Sequence, residues 1–216
     1  MDARRFAGAA DAYDHHVGRY GAQLAAGLLE VARIRRGQRV LDVGSGPGPL
    51  TRALADRVGA VNVAAVDPSP DFVEACRARM PYADVRVATA EELPFSSHAF
   101  DAALAVAPDR AGAIDDGRRV GYERPDDLEA LWQAHGLLDV TTGQLWVTAD
   151  YDGFDDLFQP FTAGTGHSGA CYASLDRAGR ERVRAEAHHR LGEPHGAFTL
   201  RARAWWVRGL VPCGVT

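Results

Sequence analysis

The chain has 216 residues, 46% of them hydrophobic, and a formal net charge of −5. That is enough apolar content for one sizeable core, and it leaves neither the low hydrophobicity of a disordered chain nor the excess positive charge that holds a polyanion. DNA, RNA and anionic membranes are therefore not expected partners. All 24 basic residues are arginine, which rules out lysine Schiff-base and lysine-base chemistry.

Cys76, Cys171 and Cys213 are widely spaced and form no C-x-x-C pair, so they are read as free thiols of a reducing cytoplasm. No run approaches the ~18 apolar residues of a membrane-spanning helix, and a soluble, cytoplasmic protein is expected. His15-His16 and His188-His189 are adjacent pairs without the i, i+4 placement of a zinc-binding helix, so no metal is expected.

In chain order, Leu24, Ala25, Leu28, Leu29, Val31 and Ala32 recur at helical spacing and predict an amphipathic helix over 21–34. Apolar bursts over 39–43, 61–66, 84–88 and 100–106 read as buried parallel strands, with helices over 49–57 and 70–79 between the first three. Strands and helices alternating in this way are βαβ units, and right-handed crossovers place helices on both faces of a twisted sheet. After residue 106 the pattern changes to a segment rich in Asp, Arg, Gly and Pro. A helix over 126–135, a long strand over 137–151, a short helix over 152–161, a glycine-containing loop over 162–173, a helix over 175–191 and a strand over 197–207 follow. In the last strand Phe198, Leu200, Ala202, Ala204 and Trp206 share one face, which reads as an antiparallel edge.

The most informative stretch is VLDVGSGPGPL, residues 40–50. A strand runs into a glycine turn that opens a helix, with Pro49 near the first helical position where its missing N–H costs nothing. Bare backbone there lets a nucleotide-like ligand lie close. A dinucleotide fingerprint would need glycine at position 49; the chain has Pro49 and the spacing G-x-G-x-G instead. Asp42, at the strand's end, would repel a pyrophosphate and attract a cation such as the sulfonium and ammonium of S-adenosylmethionine. Asp67 ends the second strand, where an acid can accept from ribose hydroxyls. The segment 88–95, ATAEELPF, is placed to cover an adenine ring.

Residues 6–105 resemble the class I S-adenosylmethionine-dependent methyltransferases, particularly the small-molecule group related to ubiquinone and menaquinone methyltransferases. The likeness lies in VLDVGSGPGPLTRAL, VAAVDPSPDFVEACRARM, ATAEELPF and FDAALA, with an N-terminal YDHHVGRY resembling a lid. It implies a doubly wound, Rossmann-like α/β sheet, mostly parallel with an antiparallel C-terminal strand. It also implies that Gly44, Ser45, Gly46 and Gly48 line the methionyl part of the cofactor, that Asp67 with Pro68 holds the ribose, and that Ala90 and Glu91 flank the adenine. Tyr13 and Arg19 fall near the methionine end, and Asp42 supports the same site. DLFQPFTAGTGHSGACYASLD and AFTLRARAWWVRG resemble the end of actinobacterial-type members.

Two departures accompany the likeness. Thr89 stands where many relatives carry an acid facing the adenine amino group. After FDAALAVA the chain passes directly to a helix that normally comes later, leaving no room for a full βαβ unit of ~30 residues, so the sheet is expected to lack one central strand, with the last strand pairing with the fourth. A shortened enzyme, a cofactor binder without catalysis and a damaged gene product all remain open. The whole chain reads as one domain, with a lid and helix over 1–36, a cofactor half over 37–106 and a shortened substrate half over 107–216. The expected reaction is methyl transfer to an O, N or C nucleophile of a small molecule, with His16 or His167 as candidate bases.

Overall fold

The computed structural model describes residues 18–105, 125–164 and 166–212, without the side chains of 166 and 167. Helix α1, Gly18–Ala32, precedes strand β1, Val40–Val43. Helix α2, Pro49–Val58, strand β2, Val63–Asp67, helix α3, Pro70–Arg79, and strands β3, Asp84–Val87, and β4, Ala102–Ala105, complete the first half. The second half comprises helix α4, Pro125–Ala134, strand β5, Leu138–Tyr151, helices α5, Phe154–Thr162, α6, Gly166–Ser174, and α7, Arg177–Arg190, and strand β6, Phe198–Leu210.

Strands β1 to β4 form a parallel sheet in the order β3-β2-β1-β4. This is the doubly wound α/β arrangement expected from the alternating pattern. β2 is buried at every position, as a strand covered on both faces must be. Side chains alternate across β1, so Val40 packs with Leu50, Leu54 and Val58 of α2 and Ala25 and Leu29 of α1, while Leu41 packs on the opposite face with Ala64, Val66, Phe95 and Phe100. Ser69 caps α3, with Pro70 in its first turn.

β5 and β6 pair antiparallel from Leu138↔Leu210 to Tyr151↔Phe198 and form their own two-stranded sheet. The antiparallel C-terminal strand is present, but among the described residues its partner is β5 and not β4. The pairing follows the alternation of both strands: Val147, Ala149 and Tyr151 are buried, and Phe198, Leu200 and Ala202 are half-buried on the same side.

The segment 162–173, read as a loop, holds all but the last residue of helix α6. Its small residues let it sit against α5: a Cβ on Gly169 would lie 2.6 Å from the carbonyl carbon of Gly164 and 3.0 Å from Pro160 O. Tyr172, buried, meets Phe158 edge-on with ring centroids 5.3 Å apart. Helix formation here is a tertiary outcome, because glycine-rich sequence has little intrinsic preference for it.

Candidate cofactor site

The site is built on the junction of β1, β2 and α2. Beyond Val43 the chain turns through Gly44, Gly46 and Gly48, all at positive φ of 77°, 54° and 101°, a region that only glycine visits freely. Gly44 N and Ser45 N both donate to Val66 O, at 2.8 and 3.0 Å, tying the turn to β2. Gly48 N donates to Ser45 O at 3.1 Å and closes it. Gly44 is exposed, and among the described residues, chain neighbours aside, no heavy atom lies within 4 Å of where its Cβ would stand. At Gly48 a Cβ would meet Cys76 Sγ at 2.8 Å. One glycine therefore opens a cradle outward and another lets the turn settle onto α3.

Asp67 links the turn to α3. Its Oδ2 accepts from Gly46 N and its Oδ1 from Ser69 N, both at 2.8 Å. A carboxylate has further acceptor sites on both oxygens, so these bonds orient the group and leave it able to receive hydroxyl donors. Pro68 beside it is exposed. Past β3, a tight turn from Thr89 to Glu92 carries Ala90 and Glu91 at its exposed tip. The structure thus gathers Gly44, Ser45, Gly46, Gly48, Asp67 and Pro68 at the carboxyl ends of β1 and β2, with Ala90 and Glu91 after β3.

Asp42 occupies a different position from the one the charge argument pictured. It is only 1% exposed and accepts from Thr51 Oγ1 at 2.6 Å, because the third residue of β1 points to the face covered by α2 and α3. Burial pushes its pKa up to about 7, with the Thr51 hydrogen bond opposing and the charge of Asp67 adding to the rise. Cys76 Sγ lies 3.7 Å from Thr51 Oγ1, and burial pushes that thiol up as well. Asp42 braces the turn from beneath. A direct meeting with a ligand cation is not what this geometry offers.

Arg19 is likewise committed within the protein. Its guanidinium forms a two-pronged pair with Asp156, donates to Asp150 O at 2.7 Å and lies 4.7 Å from the centre of the Tyr151 ring. Tyr13 and His16 lie outside the described residues, as does the side chain of His167, whose backbone is helical. Thr51, Cys76 and Asp156 escaped the sequence reading. Thr51 was detectable, being a polar residue in the first turn of the helix that follows the glycine turn; Cys76 and Asp156 become meaningful only through their distant partners.

The residues present fit the cofactor implied by the resemblance: a glycine turn open on its outer side at Gly44, followed by a positioned carboxylate at the end of β2. Residues 40–120 match the family described as a methyltransferase domain. Over 99 residues the chain is 36% identical to an uncharacterized methyltransferase of Mycobacterium tuberculosis, covering 46% of this chain and 38% of that protein. It is 39% identical over 57 residues to the trans-aconitate 2-methyltransferase of Rhizobium rhizogenes, covering 26% and 22%. The chain thus spans about two fifths of the length of the mycobacterial relative. A Bacillus subtilis protein of known structure superposes with a TM-score of 0.49 at 18% identity, covering 88% of this chain and 98% of that one. The sequence likenesses support methyl transfer in general, with S-adenosylmethionine as the cofactor the site fits.

Proposed function

We propose that the chain transfers a methyl group from S-adenosylmethionine to an O, N or C nucleophile of a small molecule, as a member of the small-molecule methyltransferases. The single observation that carries this reading is the Gly44–Gly48 turn, open on its outer side at Gly44 and locked to Asp67 through Gly46 N. When bound, the cofactor supplies a sulfonium-activated methyl group. Gly44, Ser45, Gly46 and Gly48 would hold its amino-acid part, Asp67 and Pro68 its ribose, and Ala90 and Glu91 its adenine. Asp42 would keep the turn in shape through Thr51 and α2, Arg19 would hold the first turn of α1 through Asp156, and Tyr13 would close the methionine end. Because the methyl group is already activated, alignment of the acceptor is the main task and a dedicated base is optional; His16 and His167 are the candidates for one.

The whole chain acts as one domain in this reading, in the cytoplasm, on a small molecule and not on nucleic acid. Among the described residues no helix is long and apolar enough to cross a membrane, and Cys76 and Cys171 are free thiols. The test is calorimetric titration with S-adenosylhomocysteine, followed by methyl-transfer assays over a panel of phenols, amines and carbon acids. Saturable binding with turnover on one acceptor class supports the proposal, and absence of binding overturns it.

One observation favours a second reading, a cofactor-binding module without turnover: β5 and β6 pair with each other, and the described parallel sheet stops at β4. A central strand lost from the substrate side would leave the cofactor half intact. Micromolar binding with no transfer to any acceptor distinguishes it.

A further inference from the structure

We propose that Asp156, at the start of α5, is a positioning residue for the glycine turn, acting through Arg19 and the first turn of α1. The inference rests on the cofactor reading above.

Helix α1 lies between α2 and the edge of β5. Its residues Arg19, Tyr20, Gln23 and Gly27 face that edge in succession. Gln23 Nε2 donates to Thr148 O at 2.7 Å and Thr148 N donates to Gln23 Oε1 at 3.1 Å, so one side-chain amide completes a rung on the edge of β5 away from β6. Further on, a Cβ on Gly27 would lie 2.8 Å from Leu145 Cδ2, which marks a close approach of the helix to the strand. At the other end the Tyr20 and Tyr151 hydroxyls are 3.1 Å apart.

Arg19 ends this seam. Both prongs of its guanidinium engage Asp156, whose Oδ2 also accepts from Asp152 N at 3.1 Å, so the carboxylate is itself held by the β5–α5 corner. A two-pronged pair of this kind fixes direction and register where apolar packing alone would let a helix slide. Two residues after Arg19, a Cβ on Gly21 would lie 3.3 Å from Pro49 Cβ. Pro49 opens α2 immediately after Gly48. A path of hydrogen bonds and close packing therefore runs from Asp156 through Arg19 and the backbone of α1 to Pro49, which follows the glycine turn, joining the substrate-side helices to the proposed cofactor cradle.

The experiment compares the full chain with Asp156→Asn and with Gln23→Leu, which cuts the same seam without touching the first turn of α1. Each is titrated with S-adenosylhomocysteine and with 5′-methylthioadenosine, which lacks the amino-acid tail. Coupling of this kind is expected to weaken S-adenosylhomocysteine binding by Asp156→Asn roughly threefold to thirtyfold. Gln23→Leu should stay near the wild-type affinity, and 5′-methylthioadenosine should bind all three alike. Unchanged binding in Asp156→Asn, an equal loss in Gln23→Leu, or a parallel loss of 5′-methylthioadenosine overturns the inference. If Asp156→Asn does not melt cooperatively, Arg19→Lys, which keeps the charge and loses the fork, takes its place with the same expected pattern. A wild-type chain that binds neither ligand overturns the cofactor reading and this inference with it; wild-type binding with no selective loss overturns this inference alone.

Discussion

Asp42, Thr51 and Cys76 form a buried polar column beneath the turn, and its energetics are set by dehydration of the carboxylate. An unfolded aspartate titrates near ~3.9, whereas burial holds the folded group at about 7. Between those values the folded chain keeps a proton that the unfolded chain has released. The stabilising contribution of this group is therefore complete below about pH 4 and is lost as pH rises through about 7. Asp42→Asn should flatten that dependence and make the chain more stable than wild type above neutral pH, as read from urea midpoints at pH 5 and pH 8. Equal slopes in the two proteins would refute the assignment. Thr51→Val keeps the shape but removes the hydroxyl that donates to Asp42, and should cost about 1–3 kcal/mol in the same assay.

The two outer glycines of the turn separate strain from binding. Alanine at either pays for a left-handed backbone, ~1–2 kcal/mol. Gly48→Ala also drives a methyl group into Cys76, so it should be the more destabilising. Gly44→Ala places its methyl group in the open cradle and should lower S-adenosylhomocysteine affinity out of proportion to its effect on melting. Equal affinity for Gly44→Ala and wild type would show that the cradle is not where the ligand lies.

At the scale of elements, the parallel strands and the helices between them were legible because buried apolar runs, Pro at helix starts and the glycine turn are local signals. α3 begins and ends where its sequence pattern places it, at 70–79. α6 was not legible, since its helical state depends on Gly169 fitting against Gly164 and Pro160. The ribbon's close packing was equally hidden. Gly143 lies under the Trp206 indole, and a Cβ there would come within 2.5 Å of a ring carbon. Gly143→Ala must displace a rigid ring, so the ribbon should lose about 1–3 kcal/mol and the near-ultraviolet tryptophan signal should change. Unaltered spectra and melting would contradict the packing.

At the scale of the whole molecule, α1 joins the parallel sheet and α2 to the ribbon. All four tryptophans, Trp132, Trp146, Trp205 and Trp206, lie in the second half, whereas the proposed cofactor site lies in the first. If the α1 seam makes the two halves one cooperative unit, ligand binding at the turn must delay unfolding of the ribbon. At a hundred times its dissociation constant, S-adenosylhomocysteine should stabilise the chain by about 2.7 kcal/mol. Tryptophan fluorescence and far-ultraviolet dichroism should then shift together. A dichroism shift without a fluorescence shift would mean that the halves unfold separately.

From the sequence by itself came the βαβ order, the glycine turn with its G-x-G-x-G spacing and the acid at the end of β2, because each depends on residues near one another in the chain. Tertiary structure decided what those groups face. Asp42 turned inward to Thr51 because of the side of β1 it occupies, and Arg19 went to Asp156 across 137 residues. β6 found β5 because their alternating faces match when brought antiparallel. Such pairings depend on which surfaces folding presses together, and one-dimensional spacing carries no record of that.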